Sequence, residues 1–170
     1  MAAKVVVIGV GMVGEQIVSI LKERNLPIAW PPRVCATRER TEILAGETFE
    51  VEKVSEDSFK DADIVLLAGK EGAKGASVTW RATIEASGAI AIDNGKDFRL
   101  DPQVPLVVPE INFDAIEPEH RFIASPNCST TQMVMALAPI HRVARVKRVV
   151  ASTYQSVSGW GVRANRELAD

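Results

Sequence analysis

Among 170 residues, the stretch Ser125-Pro126-Asn127-Cys128-Ser129-Thr130-Thr131-Gln132 holds the group best suited to covalent chemistry, a lone thiol. It stands between a short apolar run, Arg121 to Ala124, and an apolar segment of helical spacing that starts at Met133. Proline disfavours a helix interior but sits comfortably just before one, and Asn127 and Ser129 are favoured capping types. Cys128 is therefore expected at or just before a helix N-terminus, where unpaired N–H groups and the macrodipole favour negative charge. A cysteine so placed is a candidate nucleophile; the alternative is a buried structural cysteine.

A second constellation opens the chain. Lys4-Val5-Val6-Val7-Ile8 reads as a strand buried on both faces of a parallel sheet. Gly9-Val10-Gly11-Met12-Val13-Gly14 follows and fits G-x-G-x-x-G, with Val13, Ile17, Ile20, Leu21 and Arg24 then recurring at helical spacing. In such a turn Gly9 permits the tight bend, Gly11 lets backbone approach a pyrophosphate, and Gly14 lets helix and strand pack closely. The helix N-terminus takes the anion. An ordinary glycine-rich turn from strand to helix is the bland alternative. Asn25-Leu26-Pro27 ends the helix and Arg33-Val34-Cys35-Ala36 reads as the second strand. Beyond it lie Thr37, Arg38, Glu39 and Arg40. An acid there holds the ribose hydroxyls of NAD, whereas an arginine accommodates the 2′-phosphate of NADP. With two arginines and no acid first, NADP is favoured; otherwise Arg38 and Arg40 are loop charges beside Glu39 and Glu42.

The elements that position these residues alternate. Thr48 to Val51 reads as a short strand, Ile64 to Ala68 as a buried one, Ser77 to Ser87 as a helix, and Ala89 to Asp93 as another strand. The order β-α-β-α-β predicts an α/β fold, a Rossmann-type doubly wound and mostly parallel sheet. Gly69 to Gly75 and Asp93 to Arg99 then fall at strand C-terminal ends, where open α/β sheets bind ligands. Arg99 offers a fork for phosphate or carboxylate, unless it is spent on a surface ion pair with Asp97 or Asp101. Met133 to Leu137 continues the helix begun at Cys128, which Pro139 disturbs. Lys147 to Val157 alternates as a long strand, the start of a second sheet, and Val162 to Asp170 begins a polar helix. Cys35, within its strand, reads as a small core residue.

Composition narrows the classes. Hydrophobic residues make up 46%, charged residues 25%, and the net charge is −2, so there is no basic footprint for nucleic acid. No apolar stretch reaches membrane length, and the N-terminal run is too short for a signal peptide, which points to the cytoplasm. Two separated cysteines make neither a disulfide framework nor a zinc site.

Taken together, the glycine motif, Ile92-Asp93-Asn94 leading to Phe98-Arg99, Val107 to Asn112, Ser125 to Thr130, and Ser152-Thr153-Tyr154-Gln155-Ser156-Val157-Ser158-Gly159 resemble the aspartate-β-semialdehyde dehydrogenases. The motifs occur in family order across nearly the whole chain. The resemblance implies that Cys128 attacks the acyl carbon of β-aspartyl phosphate and that the thioester takes hydride from NADPH, a step of lysine, threonine and methionine biosynthesis. It further implies that Gln155, Asn127 and Arg99 hold the substrate. Gly9, Gly11, Met12, Val13, Gly14, Thr37, Arg38, Arg40, Asn94, Ser158 and Gly159 would hold NADP. Residues 1–127 would form the NADP-binding domain and 128–170 the start of an α+β catalytic and dimerisation domain of a homodimer.

The sequence departs from that family in places. The family's glycine loop runs G-A-T-G-x-V-G, whereas Gly9 and Gly11 have only Val10 between them. Gly95 and Lys96 stand where serines are usual, and Gly69 to Gly75 lacks a serine-rich pattern. The family's general acid/base histidine and its substrate-carboxylate arginine lie beyond residue 170. The expectation for this chain alone is negligible turnover, with an NADP-binding unit without turnover as the alternative. A related N-acetylglutamyl-phosphate reductase, which carries glycine where Asn127 stands, is the narrower one.

Overall fold

The computed structural model describes residues 2–157 and 167. Seven strands form one sheet: β1 Val5–Ile8, β2 Arg33–Ala36, β3 Arg40–Leu44, β4 Glu47–Lys53, β5 Ile64–Leu67, β6 Ile90–Asp93 and β7 Phe122–Ala124. Their order is β3-β4-β2-β1-β5-β6-β7, with every pair parallel except β3 against β4. The helices are α1 Met12–Glu23, α2 Ala76–Ser87, the single turn α3 Pro109–Asn112, and α4 Cys128–Ala144. The doubly wound α/β reading is correct, and no helix among the described residues is long and apolar enough to cross a membrane.

The continuous β-branched run of β1 follows from burial on two sides, because successive side chains point to opposite faces. Val6 and Ile8 join Phe59, Val65, Leu67, Ile84 and Phe122 in one core layer, while Val5 and Val7 join Val18, Leu21, Val34 and Phe49 in the other. Each fully buried aliphatic or phenyl side chain contributes about 1.5–3 kcal/mol relative to exposure. Cys35 lies wholly inside the first layer, as expected of a core residue, and burial pushes its thiol up.

Several expectations are corrected. The buried stripe of α1 is Gly14, Val18 and Leu21, whereas Val13 and Ile20 are 46% and 44% exposed. Gly14 lies against the Gly9 carbonyl, and that contact fixes the roll of the helix. Arg40 is not in a loop: it opens β3, paired to β4 through a tight turn in which Ala45 and Gly46 both have positive φ. The helix α4 carries Pro139 in its interior and continues to Ala144, so the disturbance expected there does not end it. No strand forms over 147–156, because no second strand among the described residues pairs with that segment. The polar helical segment at 162–170 lies outside the described residues apart from Glu167.

Candidate functional site

Five adjacent parallel strands, from β2 across to β7, have their C-terminal connections along one edge of the sheet. The connections are the loop after β2 with Thr37 and Arg38, the glycine turn after β1, Gly69 to Gly75 after β5, Asn94 to Asp101 after β6, and Ser125 to Cys128 after β7. Four strand spacings separate the first from the last, about 19 Å at 4.8 Å each. That edge is long enough for an extended dinucleotide ending near Cys128.

The glycine turn is built as its sequence implies. Gly9 has φ +108°, and a Cβ there would meet the Ala68 carbonyl oxygen at 2.6 Å. Its N–H donates to the Cys35 carbonyl at 2.8 Å, which ties the turn to β2. A Cβ on Gly14 would land on the Gly9 carbonyl. Gly11 differs: nothing lies within 4 Å of a Cβ placed there, and it heads α1 with no side-chain cap. The floor of the turn is packed and its roof is open, so Gly11, Met12 and Val13 present helix-start amides to the space above. These residues fit a nicotinamide dinucleotide.

At the β2 end, Thr37 and Arg38 are exposed and Arg38 has no ion pair among the described residues. Arg40 is more committed, its Nε donating to Glu42 Oε1 at 2.6 Å and its Nη1 to the Arg38 carbonyl at 3.4 Å.

The thiol end is assembled from three segments. Cys128 is exposed as the first residue of α4. Asn127 is the N-cap, its Oδ1 accepting the Ser129 N–H at 3.0 Å. Gln155, 27 positions onward, donates from Nε2 to Cys128 Sγ at 3.2 Å. A donor aimed at sulfur complements negative charge there, as does the start of a helix. An adjoining cleft of about 360 Å³ is lined by Ser129, Gln132 and Thr153 to Ser156.

Arg99 reaches this end from the β6 loop. Its Nε donates to the Ser125 carbonyl at 2.9 Å and its Nη2 to the Asn94 carbonyl at 3.0 Å. It makes no ion pair with Asp97 or Asp101: Asp97 accepts the Gly72 N–H at 2.9 Å, and Asp101 pairs with Arg81 at 2.6 Å. Asn94 thus contributes its backbone to the arginine. Ser158 and Gly159 lie outside the described residues.

The sequence reading passed over the side chain of Asp93. It is 1% exposed, and its Oδ1 accepts from Ser77 Oγ at 2.7 Å and the Gly95 N–H at 2.8 Å. Its Oδ2 has no partner among the described residues, and burial pushes its carboxyl up against the pull of Ser77 and Gly95. Its backbone carbonyl accepts the Ser125 N–H at 2.8 Å, so one residue ties α2, the Arg99 loop and the Cys128 segment together. An acid closing the apolar run Ala89 to Ile92 was the available signal.

Neither histidine is near the thiol. His141 is in the last turn of α4, thirteen residues on, or roughly 20 Å at 1.5 Å per residue. His120 precedes β7 at the opposite end of the sheet, its Nδ1 accepting the Glu117 N–H at 2.9 Å.

Known proteins are similar to this chain in sequence and fold. The chain is 41% identical over 162 residues to the aspartate-semialdehyde dehydrogenase of Prochlorococcus marinus, covering 93% of this chain and 46% of that protein. It is 40% identical over 175 residues to that of Aquifex aeolicus, covering 99% and 50%. The crystal structure of Vibrio cholerae aspartate semialdehyde dehydrogenase II complexed with ASA superposes with a TM-score of 0.88 at 36% identity, covering 99% of this chain and 51% of that one. The chain therefore spans about half the length of the curated relatives it matches. Residues 4–118 match the family described as "Semialdehyde dehydrogenase, NAD binding domain", and the chain belongs to that family.

Proposed function

We propose that this chain is the cofactor-binding and nucleophile-bearing part of an NADP-dependent aspartate-semialdehyde dehydrogenase, a cytoplasmic enzyme of aspartate-family amino-acid biosynthesis. The observation that carries the reading is the 3.2 Å hydrogen bond from Gln155 to Cys128 Sγ at the start of α4. It stands at the far end of an edge that begins with a dinucleotide turn.

In this reading the Cys128 thiolate attacks the acyl carbon of β-aspartyl phosphate. The C–S bond forms as the C–O bond to phosphate breaks, and phosphate leaves with the electron pair. Arg99, held on two backbone carbonyls, keeps N–H capacity on its guanidinium for that phosphate. Asn127 fixes the helix start and Gln155 orients the sulfur. Gly11, Met12, Val13 and Arg38 are the residues that would hold NADPH, which would supply the hydride for reduction of the thioester. Loss of the C–S bond then releases the aldehyde and returns the thiolate.

Residues from Cys128 onward are assigned to the start of the catalytic and dimerisation unit. The helix α4 has no buried residue of its own, which accords with that division. With both histidines remote from the sulfur, the chain by itself binds NADP and turns nothing over.

The test is phosphate-dependent NADPH formation from aspartate semialdehyde by the chain joined to the second half that its relatives carry. Activity that vanishes in Cys128→Ala is the expected result. Faster oxidation of N-acetylglutamate semialdehyde would move the assignment to the neighbouring reductases. Steady NADPH formation by the 170-residue chain alone would contradict the expected lack of turnover.

A further inference from the structure

Arg99 depends on a scaffold that lies outside the site. It sits within the loop after β6, between Phe98 and Asp101, and among the described residues its own side chain is engaged only by backbone carbonyls. The residues flanking it are gripped by Arg81 of α2. The Arg81 Nη1 donates to Asp101 Oδ2 at 2.6 Å, and its guanidinium lies over the Phe98 ring at 4.7 Å from the centroid. The same group lies 5.4 Å from the Phe122 ring on β7, the strand that leads to Cys128. Its Nε is anchored to Glu85 Oε1 at 3.0 Å, one turn along the same helix. Phe98 and Phe122 pack edge to face at 5.0 Å, so the cation rests on an aromatic pair that joins the loop after β6 to strand β7.

This geometry fixes the turn at both ends. The Asp101 N–H donates to the Phe98 carbonyl at 3.1 Å and the Arg99 N–H to the Lys96 carbonyl at 3.3 Å. A planar fork suits the task better than an ammonium, because it donates in a fixed direction to a carboxylate while its flat face lies on the rings. The Arg81 side chain is 20% exposed, so these contacts are largely shielded from solvent.

We infer that Arg81 is a positioning residue for Arg99: by clamping Phe98 and Asp101 it aims the Arg99 guanidinium between the Ser125 carbonyl and an anionic group of the substrate. The part concerning the anion rests on the function proposed above; the clamp on Arg99 does not.

The experiment uses the ¹⁵N-labelled chain and follows hydrogen exchange at the Arg99 Nε–H, with the Val65 amide in the core of β5 as the reference for global opening. In Arg81→Lys the Arg99 Nε–H is expected to exchange at least tenfold faster than in the unmodified chain, after normalising to Val65. Asp101→Asn, a milder change, is expected to give a smaller acceleration of the same sign. In parallel, the inorganic phosphate concentration that half-protects Cys128 from alkylation is expected to rise roughly tenfold in Arg81→Lys, as for a misplaced binding group. Exchange at Arg99 that follows Val65 in both variants overturns the inference and leaves Arg81 a purely structural residue. If phosphate fails to protect Cys128 in the unmodified chain, the anion role of Arg99 is wrong, and the exchange data still decide whether Arg81 positions it.

Discussion

Replacing Gly11 with alanine separates the nucleotide role of the glycine turn from its folding role. Gly11 has φ −75° and ψ −174°, a conformation alanine adopts without strain, and no atom lies within 4 Å of the added Cβ. Restricting the unfolded chain adds about 0.4–1 kcal/mol of stability. Alanine is a poorer helix N-cap than glycine, which costs about 0.5–1 kcal/mol. The two nearly cancel, so Tm is expected within roughly 2 °C of the unmodified chain at about 2–4 °C per kcal/mol. NADP affinity behaves differently, because the methyl group occupies the space above the first amides of α1. Losing one charge-assisted hydrogen bond costs about 1.5–3 kcal/mol, or roughly 10- to 150-fold in Kd. Gly14→Ala provides the contrast: its Cβ would strike the Gly9 carbonyl, and overpacking of that kind costs about 1–3 kcal/mol, lowering Tm by roughly 2–12 °C. NADPH fluorescence titration beside thermal melts reads both quantities. Unchanged NADP affinity in Gly11→Ala with an unchanged Tm would refute the placement of the pyrophosphate over this turn.

Two other perturbations bear on the cofactor and on pH. Arg38→Ala is expected to lower NADP affinity about tenfold while leaving NAD unaffected, the worth of one charged hydrogen bond to the 2′-phosphate. Arg40→Ala should shift that preference less, because Glu42 already holds its guanidinium; competitive titration decides between them. Asp93 binds its proton more tightly in the fold than unfolded, since burial raises its carboxyl, so it adds stability as pH falls toward about 4. Asp101, lowered by Arg81, and Asp61, lowered by Lys4 and Arg33, act in the opposite direction and lose stability on acidification. Asp93→Asn removes the first effect alone, so Tm should fall more steeply between pH 7 and pH 4 than in the unmodified chain. Parallel Tm profiles would contradict that assignment.

Features enforced locally were legible in the sequence. The β-branched run of β1, the glycines at 9, 11 and 14, and the Pro-Asn pair ahead of Cys128 each dictate their conformation from their own chemistry. Features set by contacts that residue type and spacing do not reveal were not. The roll of α1 is decided by Gly14 meeting the Gly9 carbonyl, so Val18 rather than Ile20 is buried. The turn between β3 and β4 uses Ala45 at φ +52°, a residue that announces no such turn, and Arg40, which sequence places in a loop, opens the strand β3. The alternation of 147–157 promised a strand, but alternation supplies one face and no hydrogen-bonding neighbour. Sequence proximity offers Arg99 an ion pair with Asp97 or Asp101, but tertiary contacts give those acids to Gly72 and Arg81. Residue type placed Arg99 at the site, but only the fold could show what it holds.

The most direct test of the central claim is to mix the chain with β-aspartyl phosphate and follow it by intact-mass spectrometry and peptide mapping. The first chemical step needs only the thiolate, so it does not depend on a distant histidine. The expected result is release of phosphate and the gain of one aspartyl group on Cys128, lost on treatment with hydroxylamine and absent in Cys128→Ala, with the buried Cys35 unmodified. A chain that binds NADP and folds normally yet shows no adduct on Cys128 would contradict it.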